Sequence, residues 1–289
     1  MKDLPKRALT AIIFAAIMLG GLMWNRISFS ILLLIIQTGC LYEYLMLVRK
    51  FQSYSEKNGR IALIMTMIAS SSILLAVLFC QEFPSAIAYG ILALPIGMLL
   101  MAFELFYRSK TPIINGMLNV GSLVYVSLPI LCFYSLPEFS WIDRDQALDS
   151  DSNIFLYYGV ESLEIILLIW ANDTFAYFVG SLIGKHKILP DISPKKSWEG
   201  FFGGLIFALI TAWILSLYFT KLNLQHWLMV AAIVVVFGTI GDFFESMIKR
   251  QAGVKDSGNL LPGHGGFLDR FDALLFCVPF VTVYLLLAP

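Results

Sequence analysis

Residues 201–219 read FFGGLIFALITAWILSLYF, nineteen positions without a charged side chain. A bilayer core about 30 Å thick is crossed by about 20 apolar residues of α-helix. In hydrocarbon only a helix or a closed barrel satisfies its own backbone. The run therefore predicts a membrane-spanning helix. Outward from it, apolar runs of similar length fall at 8–24, 27–48, 61–80, 84–107, 113–136, 162–183, 226–245 and 271–288. The expectation is an all-α integral membrane protein with about nine transmembrane helices. Composition agrees, because 58% of the 289 residues are hydrophobic and 14% are charged, against about 25% charged in a soluble domain. Too few charges are present to cover a soluble globule of this size, so the apolar excess faces lipid.

The charges are sparse but ordered. Lys plus Arg equals Asp plus Glu at 20 each, a balance that gives no reason to expect nucleic acid as a partner. Basic residues in short loops are retained in the cytoplasm. With the amino terminus inside, 17 of the 20 fall on the cytoplasmic side, and only Arg26, Arg144 and Lys221 fall opposite. The carboxyl terminus is then on the opposite side. The longest outer loop, 137–153, is acidic through Glu138, Asp143, Asp145, Asp149 and Asp151. The first run follows Lys2, Lys6 and Arg7 as a signal peptide would, but it ends in Trp24, Asn25 and Arg26 without a small-residue cleavage site, so it is expected to stay attached. The chain reads as a single polytopic domain, 1–289, with residues 1–153 as amino-terminal helices plus the acidic loop and 154–289 as the half that carries chemistry. Cys40, Cys80, Cys132 and Cys277 lie in apolar runs without metal-ligand spacing and read as small hydrophobes.

Chemistry concentrates in two cytoplasmic loops, 184–200 and 246–270. Residues 246–272 read SMIKRQAGVKDSGNLLPGHGGFLDRFD. Asp242, Glu245, Ser246 and Lys249 are spaced to share one face of a helix. Asp269 and Asp272 share a face where the last helix begins, so Asp242 and Asp269 are expected to converge from two helices. Hard oxygen ligands beside Lys and Arg suit Mg²⁺ held between protein carboxylates and substrate phosphates. Gly263, Gly265 and Gly266 around His264 allow backbone to approach a phosphate. Singly, each of these residues has a plain reading as a helix cap, a snorkelling base or a flexible turn. Carboxylates, bases and glycines gathered within 31 positions, 242–272, of a chain that otherwise avoids charge favour a functional site.

The pattern Ser246, Lys249, Arg250, Lys255, Asp256, Gly258, Leu261, Pro262, His264, Gly265, Gly266, Asp269, Arg270 and Asp272 resembles the phosphatidate cytidylyltransferases, also called CDP-diacylglycerol synthases. A second stretch is similar to the same family: Asp173, Ala176, Tyr177, Gly180, Gly184 and Lys185, then Ser193, Pro194, Lys195, Lys196, Ser197, Glu199 and Gly200. Ser197 stands where relatives often have Thr. The resemblance implies that a phosphatidic acid phosphate oxygen attacks the α-phosphorus of CTP, giving CDP-diacylglycerol and pyrophosphate at the cytoplasmic face of a bacterial-type inner membrane. It implies catalytic roles for Asp242, Lys249, Arg250, Lys255, Asp256, His264, Asp269, Arg270 and Asp272, with Asp242, Asp269 and Asp272 as Mg²⁺ ligands. Nucleotide and cofactor contacts would come from Asp173, Tyr177, Lys185, Ser193, Lys195, Lys196, Ser246, Gly265 and Gly266. A monovalent cation such as K⁺ beside the Mg²⁺ and a homodimer are further candidates.

Asp173 is a separate clue, lying about 15 Å along the sixth helix from its cytoplasmic end at the helical rise. A carboxylate at such depth costs about 2.5 to 3.5 kcal/mol on insertion scales, so it is expected to face the interior, as a packing residue or as the wall of a polar cavity, with Asn172 and Tyr177 nearby. Glu43 and Glu104 admit the same two readings, and a packing role is preferred for both. His186 and His226 read as surface residues. Three alternatives share some of these features. A CTP-dependent lipid kinase would release CDP, an ion-coupled transporter would need polar residues along a full path, and a CDP-alcohol phosphotransferase would need paired Asp spacing that is absent here.

Overall fold

The computed structural model describes residues 4–52, 56–79, 91–107, 109–136, 151–219, 222–258 and 265–288. Several expectations lie outside them: Lys2, Cys80, Arg108, Lys221, the acidic loop with Arg144 up to position 150, and Leu261, Pro262, Gly263 and His264 of the second motif loop. The described residues form α1 (Leu4–Met23), α2 (Arg26–Val48), α3 (Glu56–Phe79), α4 (Ala93–Tyr107), α5 (Pro112–Ser122), a π-helical turn (Leu123–Ser127) leading into α6 (Leu128–Ser135), α7 (Asp151–Ile183), α8 (Trp198–Tyr218), α9 (Leu224–Gln251) and α10 (Leu268–Leu287). Among the described residues, seven helical stretches are long and apolar enough to cross a bilayer. Two of the nine expected runs appear as shorter apolar helices, Ile12–Met23 and Ala93–Phe106. The chain is an all-α integral membrane protein.

Two helices run furthest past their apolar stretches. The sequence predicts an end to the eighth run at position 245, yet α9 continues to Gln251. Nothing between Ser246 and Gln251 breaks a helix, and the first breaker is Gly253, at φ +70°. There the Gly253 N–H donates to the Arg250 carbonyl at 3.0 Å and the Val254 N–H to the Lys249 carbonyl at 2.9 Å, the paired bonds of a Schellman stop. At the rise of an α-helix the 28 residues of α9 span about 42 Å, more than the thickness of a bilayer core. In the same way α7 starts at Asp151, ahead of the apolar run at 162.

The chain divides into two compact units. The first comprises Met1–Met18, Ser30–Ser135 and Ile248–Phe271; the second comprises Leu19–Phe29, Leu136–Met247 and Asp272–Pro289. Lipid gives helices little hydrophobic reason to associate, so interhelical polar bonds and small residues take over. In the first unit buried Gln37 donates to the Ser70 carbonyl at 3.0 Å and to Ser127 Oγ at 3.2 Å. Buried Glu104 of α4 accepts from Asn119 Nδ2 of α5 at 3.2 Å, the packing role preferred for it.

In the second unit α7 and α8 meet along glycines. A Cβ at Gly203 would stand 2.6 Å from Val179 Cβ, and one at Gly200 would stand 2.7 Å from the Ala176 carbonyl oxygen. This close approach lets Phe175 stack on Phe207, with ring centroids 3.5 Å apart. Further along, Phe237 of α9 stacks on Phe280 of α10 at 3.6 Å.

Candidate functional site

The loop between α7 and α8 is a pinned turn. Ser197 caps α8, its Oγ accepting from the Gly200 N–H at 3.2 Å. An antiparallel bridge joins Lys187 to Ser197, with Ile188 N–H donating to the Lys196 carbonyl at 3.2 Å and Trp198 N–H to the His186 carbonyl at 2.9 Å. Glu199 accepts from the His186 N–H at 3.1 Å and lies 2.6 Å from its Nδ1. A Cβ on Gly180, Gly184 or Gly200 would press on Ser197 Oγ, so these glycines seat the turn against α7. Four lysines, Lys185, Lys187, Lys195 and Lys196, are thus carried on an ordered backbone.

Within the second unit this turn roofs a cavity of about 710 Å³. Asn172 and Asp173 from α7 and Thr239 and Asp242 from α9 contribute polar groups to its lining. The turn contributes Lys187, Ser193, Lys195 and Lys196. Asp173 is solvent-accessible, and Asn172 Nδ2 donates to its Oδ1 at 3.3 Å. Asp173 of α7 therefore lines this cavity. Tyr177 also lines it and is 78% exposed. Of the nucleotide-contact residues expected from sequence, Asp173, Tyr177, Ser193, Lys195 and Lys196 line the cavity; Lys187 does so in place of Lys185. Asn172 lies beside Asp173 as expected; Lys187 and Thr239 were not singled out, since nothing in their local spacing distinguishes them.

Lys196 is not a free cation. It forms an ion pair with Asp242, and its ammonium lies 5.0 Å from the centre of the Phe243 ring. Lys195 is exposed, and its carbonyl accepts from Lys187 Nζ at 3.4 Å. These placements separate the two lysines. Lys195→Ala is expected to raise KM for a nucleotide about tenfold, or about 1.4 kcal/mol of binding, with kcat retained. Lys196→Ala is expected to lower kcat as well, because Asp242 loses its partner. Steady-state kinetics on the two variants checks this, and matching profiles would show that the ion pair has no catalytic consequence.

Asp272, at the start of α10, lies within hydrogen-bonding reach of Asp242, with Glu245 and Lys196 close by. Two carboxylates with hard oxygen donors thus lie side by side, with one lysine beside them. Among the described residues no three Asp, Glu, His or Cys groups close into a cage for a metal ion. Mg²⁺ is commonly held by one or two carboxylates, with substrate phosphates and water completing its octahedron, and the Asp242 and Asp272 pair fits that mode.

The first unit holds the motif residues from Lys249 to Arg270, while Ser246 belongs to the second. Lys249 and Asp269 form an ion pair at 2.6 Å, with side chains only 10% and 11% exposed. Asp269 also accepts from the Ser257 N–H at 3.1 Å and the Gly266 N–H at 2.8 Å. It thereby ties the two ends of the segment 259–264 together. Gly265 adopts φ +87°, a backbone only glycine takes readily, and a Cβ there would stand 2.8 Å from Asp269 Oδ2. Arg250 Nη1 donates to the Val254 carbonyl at 3.1 Å. Lys255, Asp256 and Arg270 are exposed, and Ser246 is half-buried. His264 lies outside the described residues.

The whole chain matches one family. Residues 5–288 fit the model of the cytidylyltransferase family. The chain belongs to this family. It is similar to the phosphatidate cytidylyltransferase of Bacillus subtilis (strain 168), 33% identical over 292 residues that cover 100% of this chain and 99% of that one. It is 38% identical over 190 residues to the enzyme of that name from Staphylococcus haemolyticus, 65% of this chain and 66% of that one. Against the Staphylococcus saprophyticus protein of the same name identity is 41% over 183 residues, 58% of this chain and 70% of that one. Membership covers the amino-terminal helices as well as the two motif loops, so the first half of the chain is part of the family's design.

Proposed function

We propose that this chain is a phosphatidate cytidylyltransferase that transfers CMP from CTP to phosphatidic acid. The observation that carries the reading is the cavity of the second unit, lined by Lys187, Lys195 and Lys196 together with Asp173 and Asp242. An oxygen of the lipid phosphate forms a bond to the α-phosphorus of CTP; the bond from that phosphorus to the bridging oxygen breaks, and pyrophosphate leaves with the electron pair. Both reactants are polyanions, so the protein must offset their repulsion before the transfer can proceed. Lys187 and Lys195 supply positive charge to the cavity, where a triphosphate enters from water. Lys196 holds Asp242 in place from the same turn.

Asp242 and Asp272 would hold Mg²⁺; Asp269, in the first unit, is a candidate ligand on the sequence motif alone. The ion would neutralise triphosphate charge that develops on the leaving group. Lys249, Arg250, Lys255 and Arg270 would contact phosphates, and Asp256 and His264 belong to the same motif. In this reading the site faces the cytoplasm of a bacterial-type inner membrane, with the amino terminus on the same side. A homodimer and a monovalent cation remain part of the proposal on the family resemblance alone.

The deciding experiment incubates purified protein in detergent with phosphatidic acid, Mg²⁺ and CTP labelled at the α-phosphate. Label is expected in the lipid product, with pyrophosphate released. Label left in water-soluble CDP, with an unlabelled phosphoryl group added to the lipid, would instead establish a lipid kinase. Orientation is checked with single cysteines: positions 140–152 should react with an impermeant reagent from outside intact cells, while Ser193→Cys should not. The reverse pattern would overturn the cytoplasmic assignment.

A further inference from the structure

The amino-terminal helices have no motif of their own, yet α2 reaches the motif loop of the first unit at two positions one turn apart. Gly39 lies under Phe267, whose Cγ would stand 2.8 Å from a Cβ placed there. Four residues on, Glu43 is 2% exposed and accepts from Ser257 Oγ at 2.7 Å and from the Leu268 N–H at 2.9 Å, both at Oε2. A Cβ on Gly258 or Gly266 would stand 2.7 Å from Glu43 Cδ. Past the end of α2, Lys50 Nζ donates to the Ala252 carbonyl at 3.0 Å. Glu43 is therefore bonded on both sides of segment 259–264, and the glycines on both sides leave room for its carboxyl.

We infer that Glu43 is a positioning residue for CMP transfer: from α2 it clamps the two ends of the motif loop, Ser257–Gly258 and Gly266–Leu268, and so fixes where that loop presents its groups. A carboxyl buried in an apolar helix is expensive, and simple helix packing would use it on a neighbouring helix, as Glu104 does with Asn119. Glu43 instead spends both bonds at the base of a loop. Asp269 ties the same two ends from within the motif, through the backbone N–H groups of Ser257 and Gly266. The loop base is thus held twice, once by the motif itself and once by the amino-terminal half of the chain.

Only the kinetic arm of the test rests on the cytidylyltransferase reading. Glu43→Gln keeps one oxygen able to accept both bonds, while Glu43→Ala removes it. Hydrogen exchange on the full chain in detergent should show the amides of 257–258 and 265–268 exchanging about tenfold faster or more in Glu43→Ala, with other segments unchanged and Glu43→Gln near wild type. In the kinetic arm, kcat should fall by about tenfold or more in Glu43→Ala with KM for CTP within about threefold, and Glu43→Gln should restore it. Exchange at 257–268 unchanged in Glu43→Ala, protection lost evenly across α2 to α6, or Glu43→Gln matching Glu43→Ala would each overturn the inference. If Glu43→Ala does not fold, Ser257→Ala, which removes one of the two donors, should still speed exchange at the loop base, and unchanged exchange there would overturn it. A wild-type chain that fails to transfer CMP while keeping this exchange pattern would sink the activity and leave the clamp standing.

Discussion

Asp242→Asn is expected to lower the rate of CMP transfer by about a thousandfold, or about 4 kcal/mol of transition-state stabilisation, with thermal stability in detergent within about 1 kcal/mol of wild type. Asn keeps the shape of Asp and removes its charge. Asp242 is partly accessible on the cavity wall, paired with Lys196 and close to Asp272. Removing its charge leaves Lys196 without its ion-pair partner beside a site for a triphosphate. Ground-state binding of CTP should therefore hold or tighten while kcat falls, a split that separates loss of metal from loss of nucleotide affinity. Raised Mg²⁺ should recover part of the rate, because Asp272 remains. The measurement is kcat and KM across a Mg²⁺ series, beside a melting curve. A fully active Asp242→Asn would overturn the metal assignment.

The spanning helices were readable because burial in lipid demands uncharged runs of fixed length, and residues 201–219 meet that demand by composition alone. The shared face of Asp242, Glu245 and Ser246 was readable for the same local reason, since helical spacing is a property of neighbouring residues. What could not be read were bonds between distant parts of the chain. Lys196 is 46 positions from Asp242, and no periodicity links a loop lysine to a helix carboxylate. Glu43 is 214 positions from Ser257. From the sequence it is an acid in an apolar helix, the same description that fits Glu104, and only the fold distinguishes a loop clamp from a packing contact. The one local signal was Gly39, one turn before Glu43, where the lack of a side chain makes room for Phe267. Segment ends were the other gap: α9 outruns its apolar stretch because Gly253, rather than the loss of hydrophobicity, stops it.

Asp269 tests the motif from the opposite direction, because its surroundings in the first unit are those of a structural ion pair. Both members of the Lys249 and Asp269 pair are nearly nine-tenths buried. Removing one partner of such a pair leaves an uncompensated charge and typically costs about 3 to 5 kcal/mol. Asp269→Asn is therefore expected to lose activity and stability together, unlike Asp242→Asn. The loop base formed by Ser257 and Gly266 should loosen with it, since their N–H groups would meet a weaker acceptor. Adding Lys249→Met to Asp269→Asn removes the stranded charge and should recover most of the lost stability. Activity of that double variant then separates the two roles. If Asp269 acts through the ion pair and the loop, the restored fold should recover part of the rate. If it binds Mg²⁺ or if Lys249 holds a phosphate, a stable double variant should remain about a thousandfold slow. Melting temperature and kcat measured on the same preparations decide it.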